Sequence, residues 1–315
     1  MDSRPFIVCI VGPTACHKTD VSVRLAKRLD AEIVSADSVQ VYRGMDVGSA
    51  KPDKSEMDGV KHHLIDCLEI DAPSFSVSQY YQMAVAAIQG VLARDRLPLV
   101  VGGSGLYINA LTTPLNFAVP SDPDVREELS AAYDTDPEAS MRLLNECDPA
   151  TAMRLSLRDK KRIVRALEVY RISGKPLSSF GGNFQTSVAQ AGPFQPILLG
   201  LSMEREKLYQ RINQRVERMM QKGLVEEARR IYDAGYARSL PAMQSIGYRQ
   251  LFEYFDGART LEGAIEQIKL DTRRFAKRQL TWFKRDDRIV WFDATDFDES
   301  IIERMEATIR ESLKQ

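Results

Sequence analysis

The apolar run Phe6–Val11 is nearly continuous, the pattern of a parallel strand buried on both faces. A polar stretch follows, and then Val21, Leu25 and Leu29 recur at four-residue spacing, which predicts a helix. "AEIVSADS" predicts a second strand with its polar residues gathered at the carboxyl end. A helix over 77–94 leads through "RLP" to a third strand, "LVVGG". Strands alternating with helices predict an α/β fold, a doubly wound parallel sheet flanked by helices, with ligands outside the carboxyl ends of its strands.

The pattern changes after this. From about 120 to 190 there are charged helical segments broken by "SDPD", "TDPEAS" and "CDPA", without strand periodicity. The segment "DKKRIVRALEVYRISGKP" predicts a helix ending at Gly174, with Pro176 just beyond. "SSFGGNFQTSVAQAGP" predicts a flexible return, "FQPILLGLS" a further buried strand, and "MEREKLYQRINQRVERMMQKG" a long helix. The rest reads as helical up to "DRIVWFDA", a late strand. The expected organisation is an α/β core over 1–119, a helical insertion over 120–190, and core completion with basic C-terminal helices over 191–315.

Composition adds little to this picture. At 44% apolar and 28% charged residues, the chain has the make-up of an ordinary globular protein. Its apolar runs are strand-length, too short to cross a bilayer, and the first strand begins too soon for a signal peptide. A cytoplasmic monomer without membrane contact is the expectation. The cysteines Cys9, Cys16, Cys67 and Cys147 show no C-x-x-C spacing, which argues against a zinc site or a disulfide framework. Cys9 reads as core, Cys16 as a small filler in its loop, and the adjacent His62 and His63 as structural.

Charge is more informative by position than in total. The net charge is −1, yet 151–175 carries eight basic against two acidic residues and 269–288 eight against three. The stretch 118–150 runs the other way, with two basic against nine acidic. Two basic blocks in a near-neutral chain point to a localised polyanion-binding surface, or to solvated helix faces.

The chemistry concentrates in "GPTACHKT", made of Gly12, Pro13, Thr14, Ala15, Cys16, His17, Lys18 and Thr19. It nearly matches the phosphate-binding pattern G-x-x-x-x-G-K-[ST] and sits between strand and helix, where backbone N–H groups converge on an anion. Lys18 would meet terminal phosphate oxygens, and the Thr19 hydroxyl could hold Mg²⁺. His17 stands where glycine is asked for, and a side chain there costs about 1–3 kcal/mol if the conformation is strained. Asp37 and Ser38 end the second strand, and "GGSG" brings Ser104 to the same rim. Asp37 there could be a metal ligand, a general base or a helix N-cap.

The motifs "GPTACHKT", "SADSVQVYRGMDVGSAKP", "HHLID", "VVGGSGLY", "RALEVYRISGKP", "QSIGYRQ" and "AKRQLTWF" occur in an order that resembles the bacterial-type tRNA dimethylallyltransferases, or tRNA isopentenyltransferases. The resemblance spans essentially the whole chain. It implies a P-loop NTPase-like core with a helical insertion. It also implies transfer of a dimethylallyl group from dimethylallyl diphosphate to N6 of the adenosine 3′-adjacent to the anticodon. Residues 12–19 would then hold the diphosphate, Thr19 would help place Mg²⁺, and Asp37 would accept the N6 proton. Lys18, Ser104 (threonine is usual there) and Arg215, with Arg211 one turn earlier, would complete the catalytic set.

The resemblance also implies contacts to the tRNA anticodon stem-loop. They fall on Asp37, Ser38, Val39, Gln40, Ser104, Arg126, Lys161, Arg162, Ile163, Val164, Arg165, Gln244, Ser245, Ile246, Gly247, Tyr248, Arg249, Arg274, Lys277 and Arg278, while Trp282 reads as core. Competing readings are a tRNA-binding relative disabled by His17, a transferase acting on free adenine nucleotides, and a small-molecule kinase. The insertion and the basic blocks disfavour the last two.

Overall fold

The structure is a computed structural model and describes residues 4–113, 119–180 and 192–314. In chain order its elements are β1 (Phe6–Val11), α1 (Lys18–Arg28), β2 (Ala31–Ala36), α2 (Lys54–Met57), β3 (His62–His63), α3 (Val77–Leu92), β4 (Leu97–Gly102) and α4 (Gly105–Thr112). Next come α5 (Pro123–Thr135), α6 (Pro137–Cys147), α7 (Pro149–Ala152) and α8 (Lys160–Ser173). The chain closes with β5 (Gln195–Ser202), α9 (Arg205–Gln221), α10 (Leu224–Asp233), α11 (Tyr248–Phe255), α12 (Leu261–Phe283), β6 (Val290–Asp293) and α13 (Glu299–Ser312). It divides into two compact units, Met1–Thr112 with Pro193–Gln315, and Thr113–Gly192.

The first unit holds a six-stranded sheet in the order β3-β2-β4-β1-β5-β6, with every pairing parallel. Alternation along β1 shows why its run is unbroken. Val8 and Ile10 enter one core with Val21 and Leu25 of α1 and Ile301 and Ile309 of α13. Ile7, Cys9 and Val11 enter the opposite core with Tyr80, Ala84 and Ile88 of α3. Both faces are covered, so both sets of positions must be apolar. The short edge strand β3 was not foreseen, since two histidines carry no strand signal. His63 Nε2 lies 2.6 Å from Glu32 Oε2 and His62 Nδ1 lies 2.9 Å from the Val60 carbonyl, so both are structural, as expected.

The strand order reverses about β1, which lies between β4 and β5. The loops leaving β1, β2 and β4 therefore open on one crevice beyond the carboxyl ends of the strands. A third core, built from α9 to α12 with Val41, Tyr42 and Met45, stands beside those loops.

The second unit is helical throughout its described residues. Its core joins Leu129 and Tyr133 of α5, Leu144 of α6, and Ile163, Val164, Ala166 and Leu167 of α8. Asp122, Asp136 and Asp148 each cap a helix that opens with proline, which explains the repeated Asp-Pro punctuation. Helix α8 ends at Gly174 in the left-handed conformation, as its sequence predicts. The return expected over 178–193 lies mostly outside the described residues.

Candidate active site

The loop after β1 bends through three positive-φ residues: Gly12 at 150°, Ala15 at 66° and His17 at 64°. At Gly12 the backbone leaves no room, because a Cβ there would stand 2.6 Å from the Leu201 carbonyl oxygen. Ala15 and His17 adopt the left-handed region without being glycine, at about 1–2 kcal/mol each, and each is held from outside. The Ala15 carbonyl accepts from Arg211 Nε at 3.0 Å. The His17 ring stacks on Phe297, with centroids 4.3 Å apart and planes at 18°. The Thr14 N–H donates to Gln279 Oε1 at 2.9 Å, and Gln279 Nε2 donates to the Gly103 carbonyl at 3.1 Å. One glutamine thus ties the loop to the end of β4.

This loop walls a polar cavity of about 330 Å³. Thr14, Ala15, Cys16, His17, Lys18 and Thr19 line it on one side, and Arg211, Arg215 and Arg218 of α9 on the other. Gly12 and Pro13 turn their carbonyls to Lys18 Nζ, at 3.0 and 2.6 Å. Burial pushes the Lys18 ammonium below its ordinary value, and the neighbouring Arg215 adds to this. Burial likewise lowers the Arg215 guanidinium, with Asp37 as the main opposing charge. The His17 imidazole is held down by its partial burial and by Arg211. Lys18, Arg211, Arg215 and Arg218 outnumber the carboxylates of Asp20, Asp37 and Glu56 in the lining, so the cavity keeps an excess of positive charge that suits an anion.

Cys16 is buried, and its thiol donates to the Pro13 carbonyl at 2.8 Å. Burial pushes that thiol up, so Cys16 fills space and is no nucleophile. Cys9, in the sheet core, is pushed up to about 12 for the same reason.

A second cavity of about 360 Å³ adjoins the first and is mostly apolar, lined by Val39, Tyr42, Phe75, Tyr107, Ile212, Val216, Met219, Leu224 and Ile268. Thr14, Asp37, Ser49, Arg215 and Phe275 belong to both cavities, so Asp37 stands where the cationic and apolar spaces meet. Asp37 Oδ1 accepts from the N–H groups of Val39 at 2.8 Å and Gln40 at 3.2 Å. These bonds fix the carboxylate in a turn and not at a helix start, so the N-cap alternative does not hold. Its Oδ2 has no hydrogen-bond partner among the described residues and remains available as an acceptor.

Of the residues expected to meet RNA, Ser38, Val39, Ser104, Gln244, Ser245, Ile246 and Gly247 line the apolar cavity with Asp37, while Gln40 lines the polar one. Ser104 is held at the rim, its N–H donating to the Ala36 carbonyl at 3.2 Å. Lys277 and Arg278 are exposed on α12. Arg249 and Arg274 are exposed beside Asp271, at 3.2 and 3.4 Å. Lys161 and Arg162 are exposed on α8 of the other unit.

Three of the expected contacts have side chains turned into a core. Tyr248 is fully buried, with its hydroxyl donating to Glu227 Oε1 at 2.7 Å. Ile163 and Val164 are buried in the core of the helical unit. None of these side chains can reach RNA. Arg126 and Arg165 have a structural task as well. Both pair with the fully buried Glu168, at 2.6 and 2.8 Å. Burial would raise that carboxyl, but bonds from Arg165 and Arg126 outweigh it and hold it below its ordinary value. Trp282 packs in the sheet core over Gly105, as expected.

The sequence reading missed two organising residues. Gln279 occupies the buried stripe of α12 with Ala276 and Phe283. Glu227 occupies that of α10 with Leu224, Ala228 and Ile231. Glu227 accepts from the N–H groups of Asp46, Val47 and Gly48, all at 2.9 Å, and so shapes the loop carrying Ser49. The available signal was a polar residue at an apolar helical position.

The family model described as IPP transferase matches residues 40–286. The chain belongs to the IPP transferase family. A tRNA dimethylallyltransferase of Geobacillus kaustophilus is 46% identical over 292 residues, covering 92% of this chain and 91% of that protein. The solved tRNA isopentenylpyrophosphate transferase of Bacillus halodurans is 41% identical, with a TM-score of 0.75 and coverage of 99% and 97%. A eukaryotic dimethylallyltransferase solved acting on tRNA is 25% identical, with a TM-score of 0.83 and coverage of 98% and 80%. As in these IPP transferases, the sheet is P-loop NTPase-like, and the family is one of prenyl-transferring enzymes.

Proposed function

We propose that the chain transfers a dimethylallyl group from dimethylallyl diphosphate to N6 of the adenosine 3′-adjacent to the anticodon in tRNA. The carrying observation is the pair of joined cavities, cationic and apolar, with Asp37 at their junction. A diphosphate fits the first, and a prenyl tail and an unstacked base fit the second.

In this reading the adenine N6 attacks the allylic carbon, forming the N–C bond as the carbon–oxygen bond to diphosphate breaks. The N6 proton passes to Asp37 Oδ2, and diphosphate leaves with the bonding electron pair. The exocyclic amine is a weak nucleophile, so a fixed carboxylate within reach contributes typically 10²–10⁴-fold. Lys18, Arg211, Arg215 and the loop N–H groups meet the charge that develops on the diphosphate.

No cluster of three or more His, Cys, Asp or Glu able to hold a metal occurs among the described residues. Mg²⁺ needs no such cluster, because it binds through few protein ligands and completes its shell with water and substrate phosphates. The Thr19 hydroxyl, which donates to no protein acceptor among the described residues, would be its ligand from this chain. When bound, Mg²⁺ would neutralise charge on the departing diphosphate.

A base paired in a duplex cannot enter the apolar cavity, so the target is splayed from a loop. Lys161, Arg162, Lys277 and Arg278 are proposed as phosphate contacts that position the stem. The helical unit is proposed as part of the tRNA-binding surface. Among the described residues no helix is long and apolar enough to cross a membrane.

The test is incubation of the protein with labelled dimethylallyl diphosphate, Mg²⁺ and unmodified tRNA, followed by nucleoside analysis. Label on N6 of the predicted adenosine supports the reading. Label on AMP but not on tRNA would overturn it in favour of a free-nucleotide transferase, and tRNA binding without any label would favour a disabled relative.

A further inference from the structure

His17 is a non-glycine residue at φ 64° and ψ 10° in the phosphate loop, where its carbonyl accepts the first bond of α1 from the Val21 N–H. Nothing in its own side chain secures that conformation, since it makes no capping hydrogen bond. What meets it is the ring of Phe297, from the segment between β6 and α13. Phe297 is in turn fixed by the core beneath α1 and α13, and the Arg24 guanidinium lies 5.7 Å from its ring centroid. Arg24 is tied to Asp20 at 2.8 Å. The aromatic surface offered to His17 is therefore braced on more than one side.

We propose that Phe297 is a positioning residue for the diphosphate, holding His17 in the left-handed conformation that the phosphate loop requires. The inference rests on the diphosphate reading above. Phe297 does not line the anion cavity and acts only through His17. A histidine without the stack relaxes toward negative φ and turns the N–H groups of positions 17 and 18 away from the anion. A glycine needs no such hold, because it enters that region without a Cβ penalty. The stack is thus useful only while residue 17 is not glycine, which makes the proposal a statement about coupling.

The experiment is a double-mutant cycle on the full chain: wild type, Phe297→Ala, His17→Gly and the double variant, with Phe297→Tyr as the conservative control. Binding of inorganic diphosphate with Mg²⁺ is measured by calorimetry, and transfer kinetics are measured alongside. Phe297→Ala is expected to weaken diphosphate roughly five- to tenfold beside His17, and by less than about twofold in the His17→Gly background. Phe297→Tyr should bind as the wild type does. The KM for the prenyl diphosphate should rise with kcat nearly unchanged. Binding by the double variant equal to that of His17→Gly alone shows that losing Phe297 does not unfold the chain. Equal weakening in both backgrounds, or none beside His17, overturns the inference alone. A wild type that binds no diphosphate overturns both the inference and the proposed function.

Discussion

Glu32 shows what one buried carboxylate does for this fold. It is almost fully buried at the start of β2, where Arg94 donates to both oxygens at 3.0 and 2.6 Å and His63 adds a third contact. The hydrogen bonds from Arg94 are the main cause that holds its carboxyl down to about 2, against burial, which would raise it. A depressed carboxyl stabilises the fold fully above its unfolded pKa, and that stability is lost as pH falls through the folded value. The window is therefore from about 4.5 down to about 2. Glu32→Gln should lower stability at neutral pH by on the order of 2 kcal/mol and flatten the pH dependence inside that window, as read by urea melts. Single residues were unevenly legible from sequence. Cys9, Cys16 and His63 play the structural parts their neighbours imply. Tyr248 does not, because nothing in "QSIGYRQ" shows that its hydroxyl points into a core toward Glu227.

At the scale of elements, the helix carrying "KRIVR" has two faces. Ile163 and Val164 look inward, Lys161 and Arg162 outward, and Arg165 closes on Glu168 with Arg126 from α5. Arg126→Ala should cost about 1–3 kcal/mol of stability, because it leaves a buried carboxylate with one cation fewer. Glu168→Gln added to it should recover part of that loss. Thermal melts of the cycle, with tRNA affinity in parallel, test this. Recovered stability without recovered affinity would mean that Arg126 also touches RNA. The strands of the α/β core were legible because β1, β4 and β5 are covered on both faces and so must be apolar runs. The edge strand β3 was not, since two residues paired to β2 leave no pattern. Gln279 was hidden for another reason. Its role appears only when α12 is packed against the ends of β1 and β4.

For the whole molecule, a net charge of −1 hides two strongly basic stretches, and their exposed members offer charge to a polyanion. Lys277→Ala with Arg278→Ala should weaken tRNA binding at low salt and reduce the slope of log K against log salt by roughly one to two. Diphosphate binding should stay unchanged, because neither residue lines the polar cavity. Filter binding across a salt series reads both quantities. An unchanged slope would assign these side chains to solvation alone.

The central claim is that Asp37 takes the N6 proton where the cationic and apolar cavities meet. The most direct measurement is single-turnover prenyl transfer to unmodified tRNA by wild type and Asp37→Asn, with diphosphate and tRNA affinities measured on the same preparations. The account predicts that transfer falls by about 10²–10⁴-fold while both affinities stay within roughly threefold. Transfer that survives the substitution, with binding intact, would contradict it.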